Sequence, residues 1–155
     1  MADILFTVFD ILNFGLVVFL WWFTIKKYKT LPQRIPIHFD FEGKADNFGS
    51  KRYSFLMPIL GLMFYGMFIF VANHPEMGNF PVKITESDKD AQFFIMIFFL
   101  KWIFMLVLLI FLNSQDHMFR SAFNENSKPR VSMATMLLSV IASLITVFIV
   151  VAQFK

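Results

Sequence analysis

The sequence predicts an all-α integral membrane protein, a bundle of four transmembrane helices with an ordered, partly extended loop between helices 1 and 2. Three observations predict it. Hydrophobic residues make up 57% of the chain, 23 of the 155 residues are Phe and the mean hydropathy is +0.64, which leaves too little polar surface to coat a soluble globule of this size. The apolar residues gather in four stretches, 4–25, 53–72, 93–112 and 131–152, each near the roughly 20 residues that a helix rising about 1.5 Å per residue needs to cross roughly 30 Å of hydrocarbon. Between the first two lies the long polar segment 26–52, which a bundle can use only at its surface.

The same composition excludes several classes of function. There is no cysteine, and so no disulfide, thiolate metal site or cysteine nucleophile. A formal charge of +3 comes from bases that flank apolar stretches rather than from a basic soluble face, which argues against nucleic acid as a partner. No repeat of solenoid period, low-complexity tract or linker divides the chain, so 1–155 reads as a single membrane domain.

The first span has no Lys or Arg ahead of it, carries Asp3 and Asp10, and is followed by no small-residue cleavage site; it is expected to be kept as a span rather than removed as a secretory signal. Asp3, Thr7, Asp10 and Asn13 recur every three or four positions and therefore form one polar stripe on the helix. A charged side chain inside a span costs at least about 2.5–3.5 kcal/mol and normally faces protein or a water-filled cavity. Lys101, at the ninth place of the third span, needs a partner for the same reason. Spans one and three run in the same direction, and at 1.5 Å per residue Asp10 lies roughly 9 Å and Lys101 roughly 12 Å below the same membrane face. The two can meet, either as a structural ion pair or as a proton- or ion-linked site or gate; a lysine snorkelling to the near surface is the third option.

The polar segment contains LPQRIPIHFDFEGKADNFGSK. From Ile35 to Glu42 it alternates, with Ile35, Ile37, Phe39 and Phe41 on one side and Pro36, His38, Asp40 and Glu42 on the other, the period of an extended strand with one greasy face. Pro32 and Pro36 oppose continuation of the first helix and Gly43 and Gly49 permit turns, so a short strand or hairpin capping the bundle is expected. His38, Asp40, Glu42 and Asp46 offer one imidazole and three carboxylates. Numbered from His38, part of the spacing follows a calcium loop, but position 1 is His and position 12 is Gly49 where a bidentate Glu is required. A zinc-type site using His38, Asp40 and Glu42 fits the residue types, as does hydrogen-bonded turn structure without a metal.

In span two, Gly61 and Gly66 read as packing or lipid-contact positions and Pro58 as a kink near the entry. The second loop, with His74, Glu76, Glu86, Asp88 and Asp90, reads as a solvated connector. The third loop, NSQDHMFRSAFNENSKPR, brings Asp116, His117 and Arg120 to the same side as the first loop, so His38 and His117 are candidates for a joint site. Span four carries Ser132, Thr135, Ser139, Ser143 and Thr146 on one stripe, which suits close helix packing with interhelical hydrogen bonds of about 0.6 kcal/mol each. Bases in short loops favour the cytoplasm. Lys26, Lys27, Lys29, Arg34, Lys44, Lys51 and Arg52 in the first loop, with Arg120, Lys128 and Arg130 in the third, outweigh Lys83, Lys89 and Lys155 on the other side. Loops one and three are thus expected inside. No nucleophile–base pair, phosphate cradle or paired-histidine helix motif is present, so neither enzymatic activity nor a cofactor is expected.

Leu31-Pro32, Ile35-Pro36-Ile37-His38-Phe39, Gly43, Asp46 and Ser50-Lys51, placed just after a first span, resemble the bacterial membrane family of unknown function found at the N-terminus of SdpI-like immunity proteins, over roughly residues 10–60. The resemblance implies a multi-pass protein of the bacterial cytoplasmic (inner) membrane that protects against a secreted toxic peptide or signals its presence. It implies the lipid bilayer, and a toxic peptide or another membrane protein, as partners. Pro32, Pro36, His38, Phe39, Gly43, Asp46, Ser50 and Lys51 would then carry the loop's shape and contacts. The residues alone leave two rivals: a small transporter or channel component using Asp10, Asn13 and Lys101, and an assembly subunit of a membrane complex.

Overall fold

The structure, a computed structural model, describes residues 2–78 and 83–154; Lys155, counted above among the bases of the far side, lies outside them. Helix α1 (Ala2–Tyr28) is followed by a hairpin of β1 (Arg34–Phe39) and β2 (Ala45–Ser50), a 3₁₀ turn at Lys51–Phe55 and α2 (Leu56–Asn73). After a second short turn come α3 (Lys89–Ser121) and α4 (Met133–Val151). All four helices are long and apolar enough to cross a membrane, and the extended part of the first loop is the small antiparallel sheet.

Helix α3 departs most from the expected 93–112. At 33 residues it is about 50 Å long at 1.5 Å per residue, well beyond a membrane's hydrocarbon thickness. Asp116, His117 and Arg120, expected in the third loop, are therefore helical. Their polarity does not end the helix because each side chain there finds a partner: Asn113 Nδ2 donates to Val131 O at 3.0 Å, Arg120 Nε to Asp116 at 2.9 Å, and Gln115 and His117 bond as described below.

Within the four helices the packing is uneven, three forming the centre and the fourth a flank. Helices α1, α2 and α3 pack on one another, whereas the principal neighbour of α4 is α3. Val17, Phe104 and Leu108 form the buried centre of the three-helix part, covered by Trp21, Phe64 and Phe68. Gly61 faces this centre: a Cβ there would stand 3.4 Å from Leu20 and 3.5 Å from Leu108, whereas Gly66 has open space around it. The hydroxyl stripe of α4 stitches helices together at one place, Ser143, rather than along its length. Ser139, Ser143 and Thr146 donate to Met136 O, Ser139 O and Ala142 O of their own helix, the nearest acceptors for hydroxyls on an apolar surface. Ser132 instead caps α4 by accepting from Thr135 N at 3.2 Å. Between α3 and α4, Trp102 Nε1 donates to Ser143 Oγ at 2.9 Å beside an apolar cleft of about 490 Å³.

Pro58 lies in the first turn of α2 rather than at a kink, where an absent N–H removes no bond from the helix interior. The carbonyl four residues earlier, Ser54 O, is left to accept from Gln115 Nε2 at 2.7 Å, and the same amide donates to Thr24 Oγ1 at 3.0 Å. Thr24, Ser54 and Gln115 are all fully buried, so a polar knot ties α1, the turn before α2 and α3 together at the hairpin end.

Candidate functional site

The hairpin sits on the protruding end of α3. Leu31 and Ile35 are buried against Met118 and Phe119, with Phe23, Ile37 and Phe39 around them. The expected alternation holds for Ile35, His38 and Asp40 but fails at both ends. Pro36 is buried rather than on the polar face, and Phe41 is 67% exposed, because β1 stops at Phe39 and the chain enters its turn. Asp40 makes that turn: its Oδ1 accepts from the amides of Glu42 at 3.0 Å and Lys44 at 2.8 Å. Gly43 completes it with a φ of +84°, a left-handed conformation that an L side chain resists. A Cβ on Gly43 would also lie 2.7 Å from Pro129 Cδ.

A chain of donors fastens the turn to α3. His117, 4% exposed, places Nε2 at 2.8 Å from Gly43 O, so that nitrogen must carry the proton. Nδ1 faces Ser121 Oγ at 3.3 Å, which in turn lies 2.7 Å from Ser127 Oγ. The imidazole also packs against the Phe39 ring, centroids 4.3 Å apart and planes tilted by 39°. His38, by contrast, points out: its Nδ1 lies 2.5 Å from Asp46 Oδ1 across the hairpin, the two side chains 66% and 47% exposed. The expected joint site of His38 and His117 is therefore replaced by two separate roles, one outward and one holding the turn.

The metal candidates are corrected for a related reason. Among the described residues no group of three His, Asp or Glu side chains is placed to hold a metal ion. Asp46 takes His38, Asp40 spends an oxygen on two turn amides, and Glu42 projects from the exposed tip.

The remaining motif residues have plain tasks. Lys51 Nζ reaches Leu31 O at 3.5 Å and lies 4.7 Å over the Tyr28 ring. Ser50 Oγ caps the 3₁₀ turn by accepting from Arg52 N at 3.4 Å. Pro32 is exposed at the hairpin entry. The strand edges are blunted: Pro36 lacks a donor, Phe48 N donates to Asn47 Oδ1 at 2.8 Å, and Phe48 O accepts from Arg34 at 3.4 Å. Asp116, beyond the 93–112 apolar segment, accepts from Arg120 at 2.9 Å and Arg130 at 2.8 Å. Burial pushes its carboxyl up, but the Arg130 and Arg120 guanidiniums outweigh that and hold it below its ordinary value.

At the opposite end of the bundle Lys101 Nζ is bonded to Asp10 Oδ1, with side chains 14% and 53% exposed respectively. Lys101 also lies 5.7 Å from the Phe6 ring centroid. Asn13, 3% exposed, donates through Nδ2 to Lys101 O at 3.1 Å. Thr7 and Asp3, the rest of the stripe, bond to each other within the helix, Thr7 Oγ1 to Asp3 O at 2.7 Å.

Gln115, Thr24, Ser54 and Pro129 were invisible as site residues in the sequence: each is a single ordinary residue whose partner lies at least 30 positions away. His117 carried a signal, a lone histidine among polar residues, but not one that told a clamp from a ligand.

A family model described as a domain of unknown function (DUF1648) matches residues 15–62, which run from α1 through the hairpin into α2 and include the whole 31–51 motif. No curated protein matches the chain, and no solved structure does.

Proposed function

We propose that the chain is a non-enzymatic, multi-pass protein of a bacterial cytoplasmic membrane, and that its hairpin is a rigid platform meeting a toxic peptide or another membrane protein. The observation that carries this reading is the division of labour within one short segment. Ile35, Gly43 and Phe39 are spent on fixing the hairpin to α3, while the His38–Asp46 pair, Phe41 and Phe48 are left exposed. A segment that needed only to connect two helices would not require a buried histidine, a left-handed glycine and two blunted edges. Aromatic and charged groups held rigid lose little entropy on binding, which suits recognition. The resemblance to the N-terminal part of SdpI-like immunity proteins points the same way, toward peptide immunity or membrane signalling.

The test is survival of the producing bacterium against a secreted, membrane-active toxic peptide. Deleting the protein is expected to raise sensitivity. A His38→Ala/Asp46→Ala double variant, with normal membrane abundance, is expected to behave like the deletion. Resistance unchanged in both would refute the reading.

A transporter or channel component is the second reading, favoured by the Asp10–Lys101 pair, since charges kept inside a span are usually functional. Ion flux in proteoliposomes that disappears in Asp10→Asn would favour it over the platform reading.

A further inference from the structure

The Asp10–Lys101 pair opens onto two adjoining spaces that share Asp10, Tyr65, Ile69, Ala72 and Lys101 as walls. The outer one is a cleft of about 510 Å³ rimmed by Asp3, Thr7 and Asn73. The inner one is a cavity of about 20 Å³ lined by Asn13 and Phe104 as well. Both lie among the first turns of α1, the last turns of α2 and the first half of α3, the end of the bundle away from the hairpin.

Asn13 supplies an independent observation. Because its Nδ2 donates to Lys101 O, the amide cannot be turned over without facing one oxygen with another. Oδ1 is thereby fixed in the remaining direction, and among the described residues it is buried without a hydrogen-bond partner. A buried acceptor left so costs about 1–3 kcal/mol. What it requires is a small donor. The inner cavity just exceeds the roughly 10–15 Å³ that one water needs, and Asn13, Asp10 and Lys101 give it the two to four polar partners that hold a buried water. Below Asn13 the space ends, since Val17, Phe104 and Leu108 are buried at 3%, 2% and 0% exposure.

We propose that this is a one-sided, water-filled vestibule: solvent enters between α1, α2 and α3 from the face opposite the hairpin, hydrates the Asp10–Lys101 pair, and ends in a single ordered water bound to Asn13 Oδ1. The vestibule is a binding site for water, not a pore. It rests on the helices crossing a membrane but not on the platform role of the hairpin.

The natural absence of cysteine makes the test direct. Single-cysteine variants Asn13→Cys, Ala72→Cys, Phe68→Cys, Val17→Cys and Ile11→Cys are reconstituted in vesicles, with Asn47→Cys marking the hairpin side. Each is treated with silver ion or with a charged methanethiosulfonate, then counted by maleimide after denaturation. Silver ion, small enough for the inner cavity, is expected to block Ala72→Cys and Asn13→Cys at least tenfold faster than Ile11→Cys, an exposed position outside the cleft, and to leave Val17→Cys free. The bulkier reagent is expected to block Ala72→Cys alone of these. Reaction is expected only from the side opposite Asn47→Cys. Should Asn13→Cys fail to fold, Phe68→Cys, which lines the inner cavity and not the outer cleft, replaces it. Silver reaching neither 13 nor 68 while it reaches 72, or reaching Val17→Cys, or reaction from both sides, overturns the proposal.

Discussion

Gly43 is the residue with the least freedom to change. Alanine there takes on a left-handed backbone, at about 1–2 kcal/mol, and a methyl 2.7 Å from the Pro129 ring, which cannot rotate away. Gly43→Ala is expected to lower the unfolding midpoint in denaturant or mixed detergent by more than that backbone cost alone, with the hairpin rather than the helices loosening first in hydrogen exchange. His117→Ala leaves Gly43 O and Ser121 Oγ without the imidazole and is expected to cost roughly 1–3 kcal/mol, read in the same assay. Asp10 and Lys101 test differently. Losing either leaves the other charge within a span, at about 2.5–3.5 kcal/mol on the insertion scale; each of Asp10→Lys and Lys101→Asp is expected to reduce membrane abundance, and the double exchange to restore it. An exchange that restores nothing would show that the contact is not an energetic pairing. At this scale the sequence made the motif prolines, Gly43 and the Asp10–Lys101 depth match readable, since spacing and residue type suffice. It concealed His117 as the clamp on Gly43 because the two are 74 positions apart, and nothing local announces such a contact.

Among the elements, α3 is the one whose length the apolar pattern underestimated. Hydropathy reports where hydrocarbon ends, not where hydrogen bonding ends, and past Leu112 the helix is kept by side chains with distant partners. Gln115 is the central one. Gln115→Leu keeps the bulk and helix propensity but leaves Ser54 O, freed by Pro58, unpaired in a buried place, an expected loss of about 1–3 kcal/mol. If Pro58→Ala is added, its new N–H can satisfy Ser54 O, and the double variant is expected to recover part of that loss in the same unfolding assay. The hairpin was legible as extended backbone from its alternation and its prolines, though the reading placed Pro36 and Phe41 on the wrong faces because the pattern does not say where a strand stops. For α4 the hydroxyl stripe was legible in part: Ser143 takes an interhelical bond from Trp102, whereas Ser139 and Thr146 satisfy themselves on their own helix.

The molecule as a whole is asymmetric end to end. The hairpin end carries Lys26, Lys27, Lys29, Arg34, Lys44, Lys51, Arg52, Arg120, Lys128 and Arg130; the charge rule expects it in the cytoplasm, whereas a platform for a secreted peptide would face outward. Asn47→Cys, at an exposed place on β2, is expected to resist an impermeant maleimide in intact cells and to react once the membrane is opened; labelling of intact cells would invert the orientation. The number of apolar helices was plain from composition, because four windows of near-uniform hydropathy need no tertiary information. Their arrangement was not, since which helix stands at the flank depends on packing that no single window contains.

A continuous α3 has Lys101 and His117 on one rod, 16 residues and therefore about 24 Å apart. Any tilt or screw of that rod must move the ammonium and the imidazole together. The proposed platform at the hairpin and the proposed vestibule thus share one mechanical coordinate, and a partner docking on the hairpin would be felt at the far end of α3 as a changed fit between Lys101 and Asp10.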